Sequence, residues 1–466
     1  MRSKKIIALI LITMLSIFLA QCAPVPAPEK MVETPTVLQT VEVQGVETEA
    51  PAEVEVQVVE TESPAKQQPI QLTMMVQGQD EFEVFDKLGK EFTSLNPNIT
   101  ITVQDIPAEN WGDYFDKIAT MIAGGTNIDL VRVVSEGAQL IGSLGIAEPI
   151  DSYINADKAF KDEFMADVDP HLLLPFQFEG NQYGLPFEWN TCAIFYNTRL
   201  LQEAGLEPPS PEWTKDDFLE YAKKLTKDVD GDGVTDIWGY QDSYFTFCIE
   251  PWIFNAGGSL LDEEWKTSKV TDPNNAEALK WMRDLIWEYK VSPTGSEVGF
   301  AGTKQMFIAG KIAMVATGRW NVNAFINAGF TEWDVVPFPK WRQQINIYGA
   351  GSTYMLKAGK NKDAAWQFLK FISSKEAITE IAKEGWSIPQ RKSVGYDKSV
   401  MGLYPPANYK FWYDTITDSR PVTAPPKYNK FDEIFSRYLD LVIKNEMSVE
   451  EALQKMDAEL NQALAE

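Results

Sequence analysis

The chain has 466 residues, of which 44% are hydrophobic and 12% aromatic, and its formal net charge is −25. This length and apolar content suffice for two or three folded domains. The acidic balance disfavours anionic membrane surfaces as partners, and we expect no nucleic acid partner. Solubility outside a cell explains the charge without requiring a cationic ligand.

The first residues predict export. A basic start precedes an apolar run that ends at Ala20. The run is short for a membrane span and is typical of a signal peptide, which we assign to residues 1–21. The letters LAQC resemble the lipobox of bacterial lipoproteins, which implies acylation of Cys22. We therefore expect an extracytoplasmic protein that is lipid-anchored to the bacterial cell membrane; an uncleaved anchor with an incidental cysteine is the alternative.

Residues 22–70 have the composition of a linker. Positions 23–70 hold nine glutamates, two lysines and no aromatic residue. Such a segment buries too little apolar surface to offset its chain entropy, and its prolines and like charges extend it. We expect a lipid-anchored disordered linker.

Strand and helix patterns alternate from residue 70 onward. IQLTMMVQ, ITITVQDIP and IDLVRVVS predict strands, and helical spacing follows each of them. This α/β alternation indicates a mostly parallel sheet with helices on both faces, in which ligands bind beyond the carboxyl ends of the strands. The candidate ligand-binding residues at those ends are Gln77, Asp80, Glu81, Trp111, Ser135 and Glu136.

Seven pieces, in order, carry a resemblance to a known family. They are YGLPFEWNTCAIFYN, PEWTKDDFLEYAKKLT, FNAGGSLLD, FIAGKIAMVATGRW, VVPFPK, GAGSTYMLKAGKNKDAAWQFLKFISSKEA and GWSIPQRKSV. Together they resemble the extracellular solute-binding proteins of ABC importers, in the carbohydrate-binding branch that includes maltose-binding protein. The resemblance covers nearly all of residues 71–466.

The resemblance implies a two-lobed periplasmic-binding-protein fold (type II). Each lobe would be a mostly parallel sheet flanked by helices, joined by a multi-strand hinge. Lobe 1 would comprise residues 71–187 and 347–375, and lobe 2 residues 188–346 and 376–466. Chain crossings are expected near 184–190, 340–348 and 373–386, because closure of two lobes around a ligand needs a hinge of several strands.

The implied function is that of a receptor, not an enzyme. It would bind a sugar or oligosaccharide between the lobes and deliver it to ABC permease subunits, as a monomer. Alternatives are the same fold binding a polyamine, a glycerol phosphodiester or a peptide; a secreted glycoside hydrolase with two carboxylates; and an adhesin or sensor subunit.

A sugar site needs flat aromatic faces together with polar groups that fix orientation. Trp320 matches the position at which the family commonly carries a stacking aromatic residue, and Asn190 aligns with a polar contact. The remaining candidates are Trp111, Glu188, Trp189, Trp252, Gly349, Gly351, Trp386 and Arg391.

The segment DVDGDGVTD has the spacing of a calcium-binding loop. Carboxylates at alternate positions, with a backbone carbonyl and a glycine turn, match the oxygen ligands of such a loop. The twelfth position is Gly239, so the usual bidentate glutamate is missing. We expect a structural calcium ion and no cofactor for activity, with a solvated acidic turn as the alternative; the candidate ligands are Asp228, Asp230, Asp232, Val234 and Asp236.

Cysteine and histidine are too scarce for several kinds of site. After Cys22 the chain has only Cys192 and Cys248, and His171 is its one histidine. These counts exclude a zinc site rich in cysteine or histidine. A Ser-His-Asp apparatus would have to use His171, which we expect to be structural. The two cysteines either pair as a disulfide or are small buried residues.

Overall fold

The structure is a computed structural model that describes residues 68–299 and 302–465. The predicted signal peptide, the lipid-attachment residue Cys22 and nearly all of the predicted linker lie outside the described residues. The described part begins just before the first strand, which starts at Ile70.

Twelve strands are described. They are β1 (Ile70–Val76), β2 (Ile99–Asp105), β3 (Leu130–Val134), β4 (Gln177–Phe178), β5 (Asn181–Gln182), β6 (Glu188–Asn190), β7 (Cys192–Asn197), β8 (Met314–Gly318), β9 (Trp333–Val336), β10 (Asn346–Met355), β11 (Ile388–Pro389) and β12 (Ser419–Pro421).

The α-helices of the described part alternate with these strands. They are α1 (Gly78–Leu95), α2 (Trp111–Ala123), α3 (Ser135–Ser143), α4 (Asp151–Ala156), α5 (Lys158–Asp167), α6 (Thr198–Glu203), α7 (Lys215–Leu225), α8 (Thr246–Asn255), α9 (Pro273–Trp287), α10 (Gly295–Val298), α11 (Gly302–Ile308), α12 (Val322–Asn327), α13 (Lys362–Ile372), α14 (Lys375–Lys383), α15 (Lys392–Gly395), α16 (Lys398–Met401), α17 (Phe411–Asp414), α18 (Tyr428–Ile443) and α19 (Val449–Ala465).

The larger sheet has the strand order β11-β6-β10-β3-β1-β2, and β12 pairs with β10. β1 runs parallel to both β2 and β3. The carboxyl ends of these three strands therefore meet at one edge, where α1, α2 and α3 begin. β10 is antiparallel to β3 and β6, so this strand returns from the other part of the molecule.

The smaller sheet has the order β8-β7-β9, and both pairings are antiparallel. This differs from the expected mostly parallel sheet in each lobe. β7 follows β6 after one residue, and both of its neighbours, β8 and β9, run opposite to it. The parallel links near this sheet are isolated bridges, Trp238 to Ile312 and Gln241 to Val315.

Two clusters of buried apolar side chains underlie the two sheets. One contains Leu72, Phe85 and Val131, and the other contains Cys248, Trp252 and Phe435. β7 lies between them, because Phe195 belongs to the first cluster and Ile194 to the second. The alternation of side chains along a strand gives each cluster one face of β7.

Several segments of the described chain pass between the clusters, and three of them run along strands of the larger sheet. The first joins β6 to β7, and the second is the start of β10. The third runs through β12, since Ile416 packs in the first cluster and Val422 in the second. α14 and β11, where a crossing was expected near 373–386, contribute to the first cluster. The predicted lobe boundaries themselves stay a prediction.

Membrane-spanning helices were sought in the described residues. None of the helices in 68–299 and 302–465 combines the length and apolar character needed to cross a bilayer.

At Gly239, which lies at the end of the acidic loop, two backbone segments approach each other closely. A Cβ atom there would lie 1.9 Å from the carbonyl oxygen of Ala222 in α7. We predict that Gly239→Ala lowers the free energy of unfolding by about 1–3 kcal/mol, the usual cost of overpacking. Gly295→Ala is the control, since its Cβ would meet nothing within 4 Å. Equal urea midpoints for the two variants would contradict this packing.

Candidate functional site

A cavity of about 970 Å³ lies where the carboxyl ends of β1, β2 and β3 face the second sheet. Its volume falls at the upper end of the range for small-molecule sites. One side is formed by the starts of α1, α2 and α3. The other side is formed by the start of α8, by α11, and by the residues from Trp320 to Asn327.

Ten of the fifteen predicted ligand-binding residues line this cavity. They are Gln77, Asp80, Glu81, Trp111, Glu136, Glu188, Asn190, Trp320, Gly349 and Trp386. The parallel strand order brings the first five together, as the sequence pattern predicted. Their contact with a ligand stays a prediction.

Trp189 does not line the cavity, although both of its neighbours do. In β6 the side chains alternate between faces, so Glu188 and Asn190 point one way and Trp189 the other. Trp189 is completely buried, with its ring edge-on to Tyr413 at 5.7 Å between centroids. The prediction that Trp189 contacts the ligand was wrong, because consecutive residues of a strand do not all face the same side.

Trp252 and Arg391 are also buried away from the cavity. The indole Nε1 of Trp252 donates a hydrogen bond to Asp242 at 3.0 Å, and its ring packs in the second cluster. The Arg391 side chain is 2% exposed, donates to the carbonyl of Ser373 at 2.9 Å and pairs with Glu163. The prediction that Trp252 and Arg391 contact the ligand was wrong, because the type of a residue does not show whether its side chain is buried.

Ser135 and Gly351 contribute to the packing around the site. The amide of Ala350 in β10 donates to Ser135 Oγ at 2.8 Å, which fixes β10 against the start of α3. A Cβ atom on Gly351 would lie 1.8 Å from Glu188 Oε1, so this glycine makes room for a buried carboxylate. Neither residue lines the cavity, contrary to expectation.

The floor of the cavity is built around Arg132 of β3, which the sequence analysis missed. Its Nε donates to Glu81 at 2.9 Å and its Nη2 to Glu188 at 2.6 Å. Nη1 donates to the carbonyl of Ser352 at 3.0 Å. The guanidinium also lies 4.8 Å from the ring centroid of Phe187. A charged residue inside the apolar run LVRVV was the signal that could have identified it.

Burial and neighbouring charges shift the pKa of Arg132 in opposite directions. Burial by itself lowers the pKa of Arg132, but the carboxylates of Glu81 and Glu188 outweigh it and raise that pKa, so the guanidinium stays charged. Burial raises the pKa of both carboxyl groups, and Arg132 offsets part of that rise. The carboxylates of Glu81 and Glu188 are therefore engaged in ion pairs with the buried Arg132.

Aromatic rings stand on both sides of the cavity. Trp386 stacks on Phe187 with an interplanar angle of 15°, and Trp111 stacks on Phe115 at 24°. Each of these indoles is therefore held by a buried ring on one of its faces.

On the opposite side Trp320 contacts Phe245 and Phe247, which the sequence analysis also missed. The centroid distances are 5.9 and 5.8 Å, with the rings tilted by 66° and 68°. Two glycines permit this packing: a Cβ on Gly318 would meet Trp320 at 1.9 Å, and one on Gly349 would meet Phe247 at 2.7 Å.

Other lining residues that sequence reasoning did not identify are polar. Glu384 forms an ion pair with Lys87, which also lines the cavity, and its carbonyl accepts a hydrogen bond from Asn323 at 2.8 Å. The remaining polar ones are Gln79, Glu83, Lys304, Gln305, Asn321 and Asn327. They come from helices whose approach to the cavity depends on tertiary packing.

Asn190 lines the cavity and has one side-chain oxygen without a hydrogen-bond partner. Its Nδ2 donates to Glu188 Oε2 at 3.2 Å. Its Oδ1 is buried, and no donor among the described residues reaches it. A buried polar atom without a partner is costly, so this oxygen is suited to a hydroxyl donor on a ligand.

The acidic loop lies outside the cavity, and three of its predicted calcium ligands converge. Carboxylate oxygens of Asp228, Asp230 and Asp236 lie within 4.8 Å of one another. Asp232 is not part of this group; its Oδ1 accepts the amide of Val234 at 2.7 Å, and the three converging carboxylates likewise accept backbone amides of the loop.

Comparison with known proteins assigns the family. The family model described as "Bacterial extracellular solute-binding protein" matches residues 77–379. The chain belongs to this family. Family membership places this solute-binding protein outside the cytoplasm.

Three similar proteins illustrate the relationship. The chain is 24% identical over 390 residues to a maltotriose-binding protein of Pyrococcus abyssi, covering 78% of this chain and 80% of that one. It is 27% identical over 230 residues to a galactooligosaccharide-binding protein of Bacillus subtilis, covering 47% and 52%. An ABC substrate-binding protein of Listeria monocytogenes, solved in complex with cycloalternan, superposes with a TM-score of 0.77 at 25% identity, covering 85% of this chain and 99% of that one. The predicted type II periplasmic-binding-protein fold is confirmed.

Buried carboxyl groups of this solute-binding protein meet where α3, α8 and α18 approach one another. Burial, with repulsion from Asp432 and Glu188, raises the pKa of Glu136 to about 7. Burial, with repulsion from Glu136, raises the pKa of Glu250 to about 8. The amide of Thr423 donates to Glu250 at 3.1 Å, which offsets only part of this rise.

These shifts predict a loss of stability as pH rises. The folded state holds protons that the unfolded chain releases near pH 4.5, the ordinary pKa of a glutamate, so the free energy of unfolding falls between about pH 4.5 and 8. Because one pKa unit is about 1.4 kcal/mol, Glu250→Gln should raise that free energy by about 1–3 kcal/mol at pH 8.5 and leave it unchanged at pH 4.

Urea unfolding at both pH values measures this effect. The exposed Glu263→Gln variant is the control and should change stability at neither pH. An equal effect of Glu250→Gln at pH 4 and pH 8.5 would contradict a proton held at the buried site.

Proposed function

We propose that this solute-binding protein takes up a sugar or oligosaccharide in the cavity between its two sheets and delivers it to an ABC importer. The observation that carries the proposal is the pairing of aromatic rings on both sides, Trp111 and Trp386 facing Trp320 and Phe245, with amides and carboxylates in one cavity. Sugars offer apolar C–H faces to rings and hydroxyl groups to polar side chains. Relatives named for maltotriose and galactooligosaccharides agree with this ligand class.

The distribution of charge argues against the cationic and anionic alternatives. Six carboxylates and three cations line the cavity. Arg132 occupies two of the carboxylates, and Lys87 occupies a third. A polyamine would then find only Asp80, Glu83 and Glu136, of which burial raises the pKa of Glu136 to about 7, and a phosphodiester would find only Lys304. A neutral polyhydroxy ligand needs neither free acids nor free cations.

A glycoside hydrolase is disfavoured for a related reason. Such an enzyme needs one carboxyl group free to protonate the leaving oxygen and a second free to act as base or nucleophile. Three of the six lining carboxyl groups are engaged, Glu81 and Glu188 by Arg132 on the cavity floor and Glu384 by Lys87, and the relatives are named as binding proteins. Incubation with oligosaccharides should therefore leave them intact; hydrolysis products in the chromatogram would overturn the receptor assignment.

The proposal includes the mode of attachment and assembly. Acylation of Cys22 and the acidic linker would hold a monomeric receptor near its ABC permease subunits. Mass spectrometry of the exported protein, looking for a lipid on Cys22, tests this part directly.

We further propose that the loop of residues 228–236 binds a structural calcium ion. Three carboxylates within 4.8 Å of one another repel unless a hard cation lies among them. Calcium at this exposed position would stabilise the turn between α7 and the second sheet, without a role in ligand binding.

Replacement of Trp320 tests the ligand site. Trp320→Ala should weaken binding of the best sugar from a thermal-shift screen by roughly tenfold to several hundredfold, corresponding to about 1.5–4 kcal/mol. Calorimetry measures the change. Binding stabilises only the folded state, so the screen detects the ligand through a higher melting temperature.

Two further tryptophans provide controls for this variant. Trp287 is 44% exposed and does not line the cavity, so Trp287→Ala should leave the affinity unchanged. Trp252→Ala should instead cost about 3–5 kcal/mol of folding stability, as expected for a core residue. Unchanged affinity in Trp320→Ala would remove Trp320 from the site and transfer the stacking role to Trp386.

The calcium loop has its own test. EGTA should lower the melting temperature of calcium-loaded protein, and Asp230→Ala should abolish this sensitivity while sugar affinity stays the same. A melting temperature that EGTA does not change would contradict calcium binding.

A further inference from the structure

Two cysteines meet in the core beneath the second side of the cavity. Cys192 is the first residue of β7, and Cys248 lies in the first turn of α8. Their Sγ atoms are 2.8 Å apart, and both residues are completely buried free thiols. This separation exceeds the covalent S–S length by less than about 1 Å.

We propose that Cys192 and Cys248 form a disulfide bond in the exported protein. The argument joins the juxtaposition of the two sulfur atoms to the location of the family outside the cytoplasm, where disulfides form and persist. It does not depend on the identity of the ligand.

The oxidant is the disulfide of a thiol–disulfide oxidoreductase in the cell envelope. A thiolate of this chain attacks that disulfide and forms a mixed disulfide, releasing one oxidoreductase thiol. The second cysteine then attacks the mixed bond, closing the Cys192–Cys248 bond and releasing the other thiol. Two protons and two electrons pass from this chain to the oxidoreductase, which ends as a dithiol.

The bond forms during folding. Burial raises the pKa of both thiols, so little thiolate exists in the folded state, and neither sulfur is accessible to an enzyme. Thiolate is the reactive form in exchange, so oxidation precedes closure of the core around the pair. Once formed, the bond is protected from reduction by the same burial.

The crosslink would lie next to residues that line the cavity. Asn190 precedes Cys192 by two positions and Phe247 directly precedes Cys248, and both of these neighbours line the cavity. The bond ties the helix that carries the ring beneath Trp320 to the strand that leaves the hinge. It also closes a long loop, since the two cysteines are 56 positions apart.

Thiol labelling of the full-length protein, exported and purified without reductant, tests the proposal. The protein is unfolded in guanidinium, treated with iodoacetamide and digested. We expect no label on Cys192 or Cys248 and one peptide pair joined through them, lighter by two hydrogens than the separate thiol peptides. Label on both cysteines of the exported protein would overturn the proposal.

A second measurement uses stability and does not rely on a variant alone. Reduction under unfolding conditions followed by refolding in reductant should lower the melting temperature of the parent by roughly 3–10 °C. The Cys192→Ala/Cys248→Ala double variant should melt at the same temperature with or without reductant. A parent protein whose melting temperature is unaffected by this reduction would contradict the crosslink.

Discussion

The buried guanidinium of Arg132 is the constraint on which the cleft depends. An unpaired charge at this depth would be prohibitively costly, and removing one partner of a buried pair typically costs about 3–5 kcal/mol. Glu81 from α1 and Glu188 from β6 supply that pairing, and β10 adds a carbonyl. These elements are therefore held in one register at the cavity floor, and Gly351 is needed because any side chain there would displace the pair.

The same interaction determines what the cavity offers to a ligand. Because the central cation and two carboxylates satisfy one another, the walls present ring faces, amide groups and the other carboxyl groups, Asp80, Glu83 and Glu136. Among the aromatic residues, Trp111 follows β2 and Trp386 precedes β11, whereas Phe245 and Phe247 lie at the start of α8 and Trp320 follows β8. Closure of the cleft would bring the two sets onto opposite faces of one sugar chain.

Much of this arrangement could be predicted from the sequence. Apolar periodicity identified β1, α1 and β3, and the rule that ligands bind at carboxyl ends of parallel strands located Glu81, Trp111 and Glu136. The sequence could not distinguish tryptophans that line the cavity from tryptophans in the core, since the burial of a side chain depends on packing between distant segments. Strand alternation alone would have removed Trp189, and the single charge in LVRVV would have indicated Arg132. Phe245 and Phe247 had no local signal, and the approach of Phe247 depends on the room left by the distant Gly349.

A crystal structure of the protein with the oligosaccharide that most raises its melting temperature tests the central claim most directly. The account predicts sugar rings between Trp320 on one side and Trp111 or Trp386 on the other, with a hydroxyl group donating to Asn190 Oδ1 and the Arg132 ion pairs intact. Sugar bound outside this cavity, or no stabilisation by any mono- or oligosaccharide tested, would contradict it.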